Sequence, residues 1–164
     1  MKAWEGEAEG KFNKDQKMDN VWVMNEKFVF PENRDRFEVC DLLTADKHFI
    51  HVKKFDIASQ PLGHLFNQGI LSAQCIADDE IRLLVQDKIK KVQSKEHKDC
   101  DFSILPGFKP KDYTVTFLLL CSSNTKLYDK NHPKIPFMAR AVFHEQYSVI
   151  TRLGFKVGLA SMFH

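Results

Sequence analysis

Glycine and proline are scarce in this chain, seven and six among 164 residues. That scarcity excludes collagen-like, Gly/Ser-linker and Pro-rich low-complexity classes. Only four cysteines occur (Cys40, Cys75, Cys100, Cys121), far apart and with no Cys-x-x-Cys. They do not read as a zinc site or a disulfide framework, and they fit reduced residues in a cytoplasmic protein. No apolar run is long enough to span a bilayer, and Met1-Lys2-Ala3-Trp4 followed by acidic residues lacks the apolar core of a secretory signal. Neither sign of charge dominates: the net value is +2, which argues against coating of nucleic acid through bulk charge but leaves room for a local basic patch. Phosphate-loop, dinucleotide-binding, zinc-finger and Gly-x-Ser-x-Gly patterns are also missing from the sequence.

What is present is an interior. Apolar residues make up 43% of the chain and include fourteen phenylalanines, enough for the core of one domain over residues 1–164. Trp4, Ala8 and Phe12 at spacings of four predict a helix over about 3–17. Val21-Trp22-Val23-Met24 predicts a strand, Asn25-Glu26-Lys27 a turn and Phe28-Val29-Phe30 a second strand. Pro31 to Asp35 reads as a loop. Ser59-Gln60-Pro61 opens a helix that runs to about Ala77 and carries His64, Gln68 and Ser72 along one row. Asp78 caps another helix, with Ile81, Leu84, Val85, Ile89 and Val92 as its apolar stripe and a lysine-rich end from Lys88 to Lys98. Residues 99–112 and 122–136 read as loops, and Tyr113 to Cys121 as a buried central strand. A helix over Phe143 to Leu153 stops at Gly154, and Phe155 to Phe163 is a last strand. The order predicts an α/β (α+β) domain: a mixed central sheet flanked by helices.

The chemistry concentrates between Phe37 and Lys54, which read as a hairpin. Alternation puts Phe37, Val39 and Asp41 on one face of the first strand, and Phe49, His51 and Lys53 on one face of the second. A three-residue connection, Ala45-Asp46-Lys47, sets Asp41 opposite His51, whereas a two-residue one sets it against Ile50. An acid on one strand and a charged-x-Lys pair on the next, with a second acidic ligand completing the site, is a device for phosphodiester hydrolysis. The acid holds a divalent metal, which polarises the ester and acidifies the attacking water, and the lysine steadies water or a phosphate oxygen. His51 departs from the carboxylate a magnesium site prefers, so it is read as an Mn²⁺ ligand, a general base or the mark of a lost activity. Plain structural readings stand beside these: a strand-end ion pair for Asp41, a core histidine for His51 and a solvated lysine for Lys53.

The stretch Asp41, turn, Ile50-His51-Val52-Lys53, with a helix following that carries Gln68, resembles the core of the PD-(D/E)xK, restriction-endonuclease-like nucleases. Many of those carry a further acid on an upstream helix, which implies Glu9 here, with Glu5 and Glu7 as the next candidates. A closer resemblance rests on Phe37-Glu38-Val39-Cys40-Asp41-Leu42-Leu43, Phe49-Ile50-His51-Val52-Lys53-Lys54 and Leu62-Gly63-His64-Leu65-Phe66-Asn67-Gln68-Gly69. Glu9-Gly10-Lys11-Phe12-Asn13, Ile135-Pro136-Phe137 and Gly154-Phe155-Lys156-Val157 extend it to about residues 5–160. These segments are similar to the C-terminal part of a sporadically distributed, defence-associated bacterial family of longer proteins of unknown function. Its usual motif has Ser where this chain has Gly63.

Together these readings set out the expected function. It is a divalent-metal-dependent (Mg²⁺ or Mn²⁺) endonuclease acting on DNA more readily than RNA, in anti-phage or restriction defence. Asp41, His51 and Glu9 would be its metal ligands, and Lys53 would act beside them in catalysis. Lys54, His64 and Gln68 would contact nucleic acid. No membrane partner is expected, and a homodimer is compatible with the sequence. The competing reading is a catalytically silent module of the same fold that binds nucleic acid or protein. A plain dimerisation domain would instead show apolar surface on the last strand and no cleft.

Overall fold

The computed structural model describes residues 1–16, 18–32, 36–55, 59–96, 102–105, 107–122, 128–129 and 132–163. Their elements, in chain order, are α1 (Glu9–Asp15), β1 (Val21–Val23), β2 (Phe28–Val29), β3 (Phe37–Glu38), β4 (Leu42–Thr44) and β5 (His48–Phe55). Then come α2 (Ser59–Ala77), α3 (Asp79–Glu96), β6 (Thr114–Cys121), β7 (Tyr128–Asp129), β8 (His132–Pro133), α4 (Phe137–Arg152) and β9 (Lys156–Phe163). The central sheet has five strands in the order β1-β4-β5-β6-β9, and β2-β3 and β7-β8 form two small ribbons. The β1, β4 and β5 neighbours are antiparallel, while β5, β6 and β9 run parallel. This is the mixed sheet flanked by helices that the order of elements predicts.

Alternation along β5 and β6 divides the interior in two. Phe49, Phe55, Val115, Phe117 and Leu119 join Leu65, Phe66 and Ile76 of α2, Val85 and Ile89 of α3 and Ile150 of α4 in one core. Ile50, Val52, Leu118 and Leu120 face the other way and pack with Trp4, Phe12, Val23 and Leu42. Residues two apart share a face of a strand, so each face of the sheet gets its own core. Gly69 lets α2 press onto β6: a Cβ there would lie 2.4 Å from the Phe117 ring.

Several expectations change. The first helix is shorter than predicted, because Gly6 sits at φ +87° and Ala8 is extended, leaving Trp4 buried in an irregular lead. Asp78 caps α3 as expected, its carboxylate accepting the N–H groups of Glu80 and Ile81 at 3.1 Å. Leu84, placed in the apolar stripe, is 40% exposed. The last helix begins at Phe137 instead of Phe143, since its first turn carries exposed Phe137 and Met138 and so shows no buried stripe to read. The expected loops contain a short 3-10 turn at Pro110–Asp112 and the β7 and β8 strands. Lys98 and Cys100 lie outside the described residues, as do positions 33–35 of the predicted loop.

The predicted hairpin is the main revision. The connection between β4 and β5 holds three residues, Ala45 to Lys47, with Lys47 at φ +66° and its N–H on the Thr44 carbonyl. Its first arm, however, is not one strand. Phe37–Glu38 pairs with β2 in a separate ribbon, and β4 starts only at Leu42. Ile50 is the register partner of Leu42, yet its carbonyl accepts the N–H of Asp41 at 2.9 Å. Two consecutive residues therefore address one, which is the geometry of a β-bulge, and Asp41 is not set opposite His51.

Candidate functional site

Asp41 enters the site through that bulge. Its own carbonyl accepts the N–H groups of Met24 and Asn25 at 2.8 and 3.0 Å, which ties the bend to the end of β1. One carboxylate oxygen accepts the Val52 N–H at 2.8 Å, and the other accepts the Asn13 side-chain amide at 3.1 Å. The carboxylate thus stands in for a missing ladder acceptor and turns toward α1. Burial pushes its carboxyl up to about 7; the Val52 N–H opposes this, Glu38 and Glu9 add to it, and Lys53 opposes it.

Glu9, the first residue of α1, reaches the same end of β5. Its Oε1 pairs with the Lys53 ammonium at 2.8 Å and its Oε2 accepts the Lys54 N–H at 2.7 Å. Glu9 and Asn13 are four residues apart, so one helix face delivers both to the strand. Lys54 points its ammonium over the Trp4 ring, 5.7 Å from the centroid. Ala8, Glu9, Lys53, Lys54, Pro61 and His64 line an open cleft of about 540 Å³ at this end of the sheet. Asp41 does not line the cleft; it is coupled to it through the charges of Glu9 and Lys53.

His51 is placed elsewhere. It is buried, 2% exposed, with its ring 6.1 Å from that of Phe117. Its Nε2 has no hydrogen-bond partner among the described residues. Burial alone pushes its imidazole down to about 4, whereas Asp41 responds to Glu38, Glu9 and Lys53. The expected ligand set of Asp41, His51 and Glu9 is therefore not assembled: among the described residues no three His, Cys, Asp or Glu side chains converge on a metal-sized point. The cause is the bulge, which turns Asp41 toward α1 while strand alternation leaves His51 on the α2 side.

Of the other predicted site residues, His64 is exposed at the cleft with Lys54. Gln68, one turn further along α2, is half-buried and does not line the cleft. Glu5 and Glu7 sit in the irregular lead, where the Glu5 N–H donates to the Glu7 carboxylate at 2.9 Å. Cys40 is buried in the α2-side core, away from Asp41's partners, and the neighbouring segment is held by Ser72, whose hydroxyl donates to the Val39 carbonyl at 2.5 Å. Sequence reasoning missed Asn13 as a partner of Asp41. The usable signal was the four-residue spacing from Glu9 within Glu9-Gly10-Lys11-Phe12-Asn13.

Residues 1–162 match the model of a family described as "Family of unknown function (DUF6119)". The chain belongs to this family. No curated protein and no solved structure matches it. The family therefore covers both the Glu9-to-Asn13 helix and the β4–β5 hairpin, and its description supplies no activity. None of the described helices is long and apolar enough to cross a membrane.

Proposed function

We propose that this DUF6119 chain is a divalent-metal-dependent nuclease whose working groups are Asp41, Glu9 and Lys53. The observation that supports it most is their approach from three separate elements to one end of β5. An acid on a bulge, an acid on an upstream helix and a strand lysine are coupled by a 2.8 Å ion pair and by their effect on the Asp41 carboxyl. The helix that follows the strand brings His64 to the same cleft. Apart from position 51, where those nucleases carry a carboxylate and this chain has His51, this is the arrangement that the resemblance to restriction-endonuclease-like nucleases implies, and it extends to the proposals of a DNA substrate and a defence role.

The donor set fits a hard cation once His51 is removed from it. Two carboxylates with substrate phosphate oxygens and water is how Mg²⁺ is commonly held, and Mn²⁺ accepts the same ligands. When bound, such an ion would polarise the phosphodiester and acidify a water. Within the chain, Asn13 and the Val52 N–H fix the Asp41 carboxylate, and Glu9 orients the Lys53 ammonium. Lys53 and Lys54 then present positive charge to a phosphate in the cleft. His51 takes no part in this scheme; it is buried beside the Phe117 ring of β6.

Supercoiled plasmid and single-stranded RNA incubated with Mg²⁺ or Mn²⁺ test the proposal. The wild-type chain nicks DNA, and folded Asp41→Ala and Lys53→Ala proteins lose roughly a hundredfold or more of that rate. Undiminished cleavage by both variants sinks the assignment. One observation favours a second reading, a binding module without catalysis: the Glu9–Lys53 pair satisfies each group internally. In that case the wild type retards nucleic acid without cutting it, and Lys53→Ala and Lys54→Ala weaken retention.

A further inference from the structure

The two edges of the central sheet are built differently. At one side β1 is three residues long and fully buried. At the other, β9 runs eight residues, Lys156 to Phe163, pairs with β6 along its whole length and has no strand on its outer side among the described residues. The Lys156 N–H donates to the Tyr113 carbonyl, so even-numbered residues of β9 turn their backbone groups toward β6. Val157, Leu159 and Ser161 consequently direct N–H and C=O outward, by the alternation of a parallel ladder.

Natural edge strands are blunted by charge, proline, bulges, shortness or a covering element. After Lys156, β9 has no charged residue and no proline, and Leu159 is 41% exposed. We infer that the outer edge of β9 pairs antiparallel with β9 of a second copy of this chain, about a two-fold axis at Leu159, joining two five-stranded sheets into one of ten. The occupant must be a strand, because what is offered is a row of backbone donors and acceptors. A second copy satisfies this with no misfit. Leu159 meets its own equivalent, Val157 meets Ser161, and Gly158 meets Ala160. Lys156 faces Met162 and no other lysine. Val157, Leu159 and Ser161, which face outward, all fall in hydrogen-bonded positions of this register, while Phe163 lies beyond the paired stretch, opposite Phe155, whose N–H goes to the Ile150 carbonyl.

Sedimentation velocity on the full chain at tens of micromolar, with two variants, tests this. Leu159→Lys puts two ammonium groups together on the axis. Ser161→Pro removes an outward N–H that serves no bond to β6, as edge positions tolerate. The wild type sediments as a dimer, and each variant raises the dissociation constant at least tenfold while keeping the far-ultraviolet circular dichroism of the fold. A Leu159→Cys protein gives an oxidant-dependent covalent dimer, since hydrogen-bonded antiparallel partners stand about 5.5 Å apart at Cα, within disulfide reach; Lys156→Cys does not. A monomeric wild type, or a dimer that survives both Leu159→Lys and Ser161→Pro, overturns the inference.

Discussion

Asp41 and His51 start from similar positions in the sequence and end in opposite situations. Both are polar residues amid apolar strand neighbours, and a regular hairpin would set them face to face. The structure separates them across the sheet. Asp41 turns to α1, where Asn13 and the Val52 N–H hold it and the charges of Glu9 and Lys53 reach it; His51 stays on the other side of the sheet, beside the Phe117 ring of β6. Burial acts on both and pushes them in opposite directions, the carboxyl up to about 7 and the imidazole down to about 4. Both shifts favour the uncharged form. Only one of the two groups has charged neighbours that ionisation could use. A buried polar group thus becomes a candidate for chemistry when partners converge on it, and a packing element when they do not.

The largest expected effects that would sharpen this contrast concern pH. His51 has a lowered value in the folded state, so its contribution to stability is lost as pH falls from about 6.5 to about 4. Asp41 has a raised value, so the folded state holds its proton more tightly, and stability is lost as pH rises from about 3.8 to about 7. Over the shared window the two slopes oppose each other. Each single variant unmasks the other group: relative to wild type, His51→Leu makes stability fall more with rising pH, and Asp41→Asn makes it rise more. Each change reaches at most about 1.4 kcal/mol per pH unit, less for half-buried Asp41. Urea melts across that window measure it. Parallel, unchanged slopes in both variants would break the comparison.

Smaller effects probe the scaffold on either side. Gly69→Ala forces a methyl group onto the Phe117 ring beside His51, and is expected to cost about 1–3 kcal/mol. It should leave the Asp41 side untouched, so any cleavage per folded molecule is retained. Glu9→Gln removes an ion pair whose partners are partly solvated, with side chains 34% and 27% exposed. Its stability change should therefore be under about 1 kcal/mol. If Glu9 serves a metal, the same variant costs far more in cleavage than in thermal stability, a split that a purely structural pair would not give.

Much of the fold was legible because periodicity records burial directly. The Asp78 cap, the amphipathic α2 and α3 and the apolar β6 all follow from local pattern and chemistry, whereas the three-residue turn before β5 was one of two connections that the sequence left open. The site was legible in part. Lys53 and Glu9 pair and Asp41 is coupled to them by charge, whereas His51, which alternation assigned to the same face, stands apart. What hid this is a bulge: one extra residue opposite Ile50 re-aims a side chain without leaving a mark in the polarity pattern. Asn13 was hidden for a related reason, since a buried amide on a short polar helix becomes visible only once its partner's direction is known. The exposed first turn of α4 shows the converse, apolar residues with no burial to record.

The most direct measurement is metal-dependent cleavage by two variants side by side, Asp41→Asn and His51→Leu, each verified as folded. Asp41→Asn loses roughly a hundredfold or more, and His51→Leu stays within a few fold of wild type. The reverse pattern, with His51→Leu inactive and Asp41→Asn active, would contradict the account and return the site to the α2 side of the sheet.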